Sequence, residues 1–363
     1  MLITKPDPDF QKFHPGLDLL RGIAILLVIL YHYFNLAIGW IGVDLFFVLS
    51  GFLITKSLVN LQNDPRKYKS FFTNRVLRIF PLYFAALIAF YVAVLLFAKQ
   101  SDNFSFYLQH WPFYFTFIEN WLFIWKGIPA EAHLNHLWSI AVEEQFYVVW
   151  PVIVFTFIKK SILPKLLVAI FLLVLISRTI YYLAIFEWNE EEIIFNPFFR
   201  ADGFVAGALL NFLSFKKRKD IILAFCLLLT ICFGGFLFAR TMQQENSFVL
   251  TLGYSAIALF FASCINLILF YESDKFYSIL PIRTLTKLGK ISFGVYIFHW
   301  PILQFLYLKI SGYFNSIIHY AELSEILSTF VCLLITLTLS ILSYRYFEKP
   351  FLKRKYHPAL IAT

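Results

Sequence analysis

LDLLRGIAILLVILYH at residues 17–32 and GVDLFFVLSGFLIT at residues 42–55 decide the fold. With its flanks, each is long enough to cross a bilayer, which takes roughly 20 mostly apolar residues at about 1.5 Å of rise per residue. Each also carries polar groups that an apolar span tolerates only at a cost: Arg21 and His32 in the first, Asp44 and Ser50 in the second. Ionisable side chains inside a span mark functional sites by default.

The same pattern continues along the chain. Of 363 residues, 60% are hydrophobic and 15% charged, where soluble domains carry about 45–50% apolar and about 25% charged residues. The reading is an all-α, polytopic membrane protein of about ten transmembrane helices: 17–36, 41–59, 79–98, 138–158, 165–184, 198–214, 220–239, 248–270, 291–309 and 326–347. Residues 104–125, aromatic but broken by Gln109, His110, Pro112, Glu119 and Asn120, read as interfacial or re-entrant. Basic residues cluster in alternate loops, at 56–78, at Lys159, Lys160 and Lys165, at 216–219, at Arg283, Lys287 and Lys290, and at 353–355; the intervening loops are neutral or acidic, as at Glu187 and 190–192. Ten spans with both termini cytoplasmic put every basic cluster inside, in the cell (inner or plasma) membrane. The net charge of +9 therefore reflects topology and anionic lipid, not nucleic acid. The four cysteines lie in apolar runs without ligand spacing, so they imply neither a disulfide framework nor a metal site. Residues 1–363 read as one membrane domain with its helical core at about 15–350.

The polar residues fall in groups. Arg21 and His32 are eleven residues apart, so they share one helix face roughly 16 Å apart along the axis. Arg75 and Arg78, in NRVLRIFPLYF (74–84), lie on one side of a turn, where guanidinium forks suit phosphate; on the residues alone, positive-inside topology is the favoured explanation. HLWSIAVEEQFYVVWP (136–151) carries Glu143, Glu144 and Gln145 into a span, with His136 and Ser139 nearby. A carboxylate near an imidazole orients it and raises its basicity, as a general base requires. Asp44 and Ser50 read mainly as packing or pairing groups. Arg200 and Asp202 either hold a polar acceptor or pair with each other. His299 precedes Trp300 and Pro301 at a helix kink and reads as structural or catalytic. Arg345 and Glu348 suggest an i,i+3 pair. Trp111, Trp121, Trp125 and Trp188 are placed either to stack on sugars or to sit at the bilayer interface.

Taken in order, LDLLRGIAILLVILYH, GVDLFFVLSGFLIT, RVLRIFPLY, LWSIAVEEQFYVVWP, ISFGVYIFHWP and YRYFEKP resemble the membrane-bound acyltransferase family 3 over about 15–350. That family includes O-acetyltransferases acting on O-antigen, exopolysaccharide, nodulation factors and peptidoglycan. The resemblance implies that Arg21 and His32 are needed for activity. It implies that Arg75 and Arg78 help bind an acyl-CoA donor, and that Glu143, Glu144 and Gln145 are the family's Glu-Glu-Gln signature. Its Ser-Tyr-Gly is here Ser292, Phe293 and Gly294, which removes a hydroxyl. Some members carry an extracytoplasmic esterase-like domain; none is expected here.

The expected activity is transfer of an acyl group, acetyl first among them, from cytoplasmic acyl-CoA to a hydroxyl of an extracytoplasmic glycan or glycolipid. His32 acts as base or nucleophile, Glu144 or Glu143 orients it, and Arg75, Arg78 and Arg21 hold the donor; no metal is invoked. The alternative is a transporter of a small acid or lipid-linked sugar, and a third reading is a structural or sensory membrane protein. Neither inverted repeats nor paired broken helices, the marks of a transporter, are visible. One chain says nothing of oligomeric state.

Overall fold

The computed structural model describes residues 14–97, 104–129, 133–158, 162–185, 189–213, 217–271, 277–318 and 320–354. Lys159, Lys160, Glu187, Trp188, Lys216 and Lys355, used above for topology or sugar stacking, lie outside them. Every regular element among the described residues is a helix, with no strand.

The apolar runs become α1 (Pro15–Phe34), α2 (Ile41–Leu61) and α3 (Lys67–Phe97), followed by three short helices, α4 (Ser105–Gln109), α5 (Trp111–Phe115) and α6 (Glu119–Lys126). Then come α7 (Trp138–Phe157), entered through a 3-10 turn at Asn135–Leu137, α8 (Leu163–Ala184), α9 (Glu190–Ile194), α10 (Ala201–Leu209) and α11 (Arg218–Ala239). The last are α12 (Tyr254–Phe270), α13 (Leu280–Lys290), α14 (Ser292–Ile317), α15 (Ala321–Leu342) and, after a π-helical turn at Ser343–Glu348, α16 (Lys349–Leu352). Asn35, at φ 53°, takes the left-handed conformation that Asn tolerates better than most residues and ends α1.

Among the described residues, eight helices are long and apolar enough to cross a membrane, or nine if α13 and α14, bent by 77° at their junction, count as one span. The difference from ten lies at 198–214, where the helix is only the nine residues of α10. At about 1.5 Å per residue that is too short to span. It is instead buried, with Gly203, Phe204, Val205, Ala206, Gly207 and Ala208 all inside. Residues 104–125 form the three short helices rather than one span, because Pro112 and the polar residues interrupt the apolar run. α8 and α11 leave most of their surface uncovered by protein, with Leu183 74% and Phe238 84% exposed. Contiguous apolar faces of that size belong in lipid.

The chain divides into two compact units. One comprises residues 1–31, 36–71 and 142–290; the other comprises 32–35, 72–141 and 291–363. In the first, α2 and α10 meet at glycines. A Cβ on Gly51 would lie 1.9 Å from the carbonyl oxygen of Phe204, and one on Gly207 1.9 Å from that of Val48. Only glycine permits this approach. In the second, α14 packs along α15.

Candidate functional site

In the second unit, the last turn of α1 presents His32 to α14. His32 Nδ1 lies 3.3 Å from His299 Nε2, and its ring centroid is 4.5 Å from that of Trp300. His299 is fully buried, and its Nδ1 donates to the carbonyl of Tyr296 at 2.7 Å. His136, just before α7, adds a third imidazole, with its ring 5.2 Å from that of His299. Pro301 explains how His136 is held. Proline has no N–H, so the carbonyl of Ile297, four residues earlier, lacks its usual helical donor, and His136 Nε2 lies 3.3 Å from it. The Tyr296 hydroxyl donates to the His136 carbonyl at 2.8 Å and accepts from Ser139 Oγ at 2.5 Å. Tyr33 donates to the His299 carbonyl at 2.8 Å and meets Thr336 at 2.9 Å. His32, His136, Ser139 and His299, four of the residues singled out in the sequence, thus form one hydrogen-bonded cluster. Tyr33 and Tyr296 join it. Neither stands out in the sequence, where they read as two more aromatics among many.

Arg75 and Arg78 sit half-buried near the start of α3 in the same unit. Arg78 is close enough to Glu348 for its charge to act on that carboxyl. Glu348 is buried, accepts from Ser343 Oγ at 3.1 Å, and packs where a side chain on Gly294 would stand. The Ser-Phe-Gly stretch therefore contributes its glycine, which makes room for this carboxyl. The suggested Arg345–Glu348 pair does not form. The π-helical turn at Ser343–Glu348 shifts the i,i+3 register, and Arg345 lies over the Tyr346 ring instead.

A further buried carboxyl, Glu119, was noted in the sequence only as an interruption. It is fully buried at the head of α6, where the Tyr83 hydroxyl, which donates to the Tyr114 carbonyl at 2.8 Å, lies 3.2 Å from its Oε1. Burial pushes its carboxyl well above the usual carboxylate range, against the lowering pull of its hydrogen bonds. Its other oxygen, Oε2, has no hydrogen-bond partner among the described residues. Trp111 and Trp125 are exposed, at 51% and 66%.

The first unit holds the remaining candidates. Glu143 Oε1 accepts short hydrogen bonds from Ser50 and Tyr147, so Ser50 is a partner of the Glu-Glu-Gln stretch. Glu144 and Gln145 are half-buried. Arg21 engages Asp18, one turn earlier, at 2.7 Å.

Arg200 and Asp202 do not pair with each other. Arg200 binds Asp44 at 2.6 Å, and Asp202 binds Arg178 at 2.8 Å. Arg178 also donates to Ser255 Oγ at 2.8 Å and to the Thr251 carbonyl at 3.0 Å, and the Arg200 guanidinium lies 3.8 Å from the Tyr254 ring centroid. Two cations and two anions cancel. Such a closed, buried network ties α2, α8, α10 and α12 together and leaves no net charge for a ligand. Arg178 was missed in the sequence, although a lone arginine inside an apolar run is itself a signal. Among the described residues, no group of His, Cys, Asp or Glu side chains is arranged to hold a metal ion.

Comparison with known proteins gives the family. The profile of an acyltransferase domain, that of acyltransferase family 3, matches residues 14–345 and so runs through both units. The peptidoglycan O-acetyltransferase OatA of Listeria monocytogenes is 30% identical over 320 residues, which cover 81% of this chain and 50% of that protein. YrhL of Bacillus subtilis, provisionally named a peptidoglycan O-acetyltransferase, is 30% identical over 371 residues, covering 94% and 55%. A provisionally named O-acetyltransferase of Staphylococcus aureus is 28% identical over 369 residues, covering 94% and 58%. The chain thus spans 50% to 58% of the length of these curated relatives. No solved structure matches it.

Proposed function

Because the chain belongs to acyltransferase family 3, we propose that it transfers an acyl group, acetyl first among them, to a hydroxyl of a cell-envelope glycan. The chain is a multi-pass membrane protein, and the reading places it in the cell membrane. Peptidoglycan is the acceptor suggested by the names of its relatives, and exposed Trp111 and Trp125 offer faces on which sugar rings stack. The donor is an acyl-CoA, held through its phosphates by Arg75 and Arg78; Arg21 is assigned to the same reaction.

The observation that carries the reading is the imidazole cluster. His32 is only half-buried, while the rings behind it, His299 and His136, are buried and fixed by backbone carbonyls. A ring so held is ready to act as a general base. The hydroxyl oxygen attacks the thioester carbonyl, a C–O bond forms and the C–S bond breaks. The hydroxyl proton passes to His32 and from it to the departing CoA thiolate. A two-step variant, with the acyl group carried on His32, uses the same residue. Glu144, or Glu143, is assigned to the same reaction.

Acceptor-dependent CoA release by detergent-purified protein tests this, with several acyl-CoAs and a panel of glycan acceptors. Arg78→Ala should raise KM for acyl-CoA about tenfold or more, the loss of one charge-assisted phosphate contact, with a smaller effect on KM for the acceptor. Folded protein that turns over no acyl-CoA would overturn the reading and favour transport instead.

A further inference from the structure

From the hydrogen bonds around α14 we infer that His299 is a positioning residue that holds His32 in the tautomer with its proton on Nδ1 and its lone pair on Nε2. The inference rests on the reading of His32 as the base in acyl transfer. A backbone carbonyl can only accept a hydrogen bond. His299 Nδ1 lies 2.7 Å from the Tyr296 carbonyl oxygen, so Nδ1 carries a proton. A buried ring stays neutral unless an opposite charge pairs with it, and the rings beside His299 are His32, His136 and Tyr296, none of which is an anion in its ordinary form. Neutral His299 therefore presents a lone pair at Nε2. His32 Nδ1, 3.3 Å away, must donate to it. A neutral imidazole has one N–H, so the second nitrogen of His32 holds the lone pair. The bond at one ring nitrogen sets the state of the other.

In the familiar arrangement a carboxylate orients the catalytic histidine. Here a second histidine occupies that position, and a backbone carbonyl stands behind it. The local sequence explains why this is stable. In YIFHWP (296–301), Tyr296 and Ile297 each supply a carbonyl to an imidazole, one to His299 and one to His136. Pro301 withholds the N–H that would otherwise compete at Ile297. The Tyr33 hydroxyl, donating to the His299 carbonyl at 2.8 Å, ties this turn of α14 back to the helix that carries His32. A neutral orienting group selects a tautomer without adding a second charge to the buried cluster.

The test is nitrogen NMR on protein labelled with 15N-histidine in lipid nanodiscs, with the His32 signals identified from His32→Gln. Two-bond nitrogen–proton correlations distinguish the tautomers. Wild type should show His32 protonated on Nδ1. His299→Phe removes the acceptor and should leave His32 as a mixture, with kcat lowered roughly 10–100-fold, the usual effect of losing a group that orients a functional histidine, and KM for either substrate nearly unchanged. His299→Gln offers a side-chain carbonyl in place of the ring nitrogen and should restore both the tautomer and most of kcat. His32 protonated on Nε2 in wild type would overturn the inference. So would His299→Phe protein with an unchanged spectrum and wild-type kcat, even while His32→Gln is inactive and the acyl-transfer reading stands. Protein with the expected spectrum but no acyl transfer would support the positioning and sink the function assigned to it.

Discussion

Asp44, Arg178, Arg200 and Asp202 are each at most 3% exposed, and each is held by an opposite charge within 2.8 Å. Paired this way, buried charges offset much of their desolvation. Glu119 has no such partner ion among the described residues, only the Tyr83 hydroxyl and a backbone contact, and its carboxyl is raised from 4.5 by burial. A carboxyl raised on folding supports stability most below its unfolded value, near 4.5, and that support is lost as pH rises through the folded value. Glu119→Gln removes the ionisable group and keeps the shape. At pH 7 it should melt ~2–4 °C above wild type in a detergent thermal scan, and the gap should close toward pH 4. Equal melting at both values would contradict this. The residues themselves were visible in the sequence, since Asp44, Arg200 and Asp202 stand out in apolar runs. Their partners were not, because Arg200 and Asp44 are 156 positions apart and pairing over that distance is set by how the helices pack.

Elements were legible to the degree that their composition is monotonous. Long apolar runs became long helices, whereas residues 190–192, read as an acidic loop, form the first turn of α9, with the Asn189 side chain accepting from the Glu191 N–H at 2.7 Å. Polar cap, acidic first turn and helix start are coupled by the unsatisfied N–H groups at a helix N-terminus. The reading failed at 198–214, where apolarity reflects burial in protein. α10 is surrounded by α2, α8 and α12, and hydropathy cannot tell a protein interior from lipid. The α2–α10 contact gives a prediction at this scale. Gly51→Leu must force the backbones apart, because even a Cβ would meet the Phe204 carbonyl at 1.9 Å. It should cost ~1–3 kcal/mol, as overpacking does, read as a lower midpoint for detergent-resistant folding. The change also parts the elements joined by Asp44 and Arg200. A midpoint equal to that of wild type would mean that the close contact is absent.

At the scale of the whole molecule, the apolar surfaces of α8 and α11 require a bilayer, and the family profile runs from residue 14 to 345 across both units. The six ordered motifs carried the family, and four of the residues picked from them and their flanks, His32, His136, Ser139 and His299, came together. Which group sits behind His32 was not readable. His299 stands at His32 Nδ1, held there by the turn around Pro301. Glu143, in turn, is engaged by Ser50 and Tyr147.

The central claim is that His32 carries acyl transfer. The most direct test follows labelled acetyl from acetyl-CoA to a glycan acceptor, with purified wild-type protein beside His32→Ala, both shown to be folded by the same melting transition. The account predicts alkali-labile label on the acceptor with wild type and a loss of at least ~100-fold with His32→Ala, the lower range for removing a general base. Transfer by His32→Ala at the wild-type rate would contradict it.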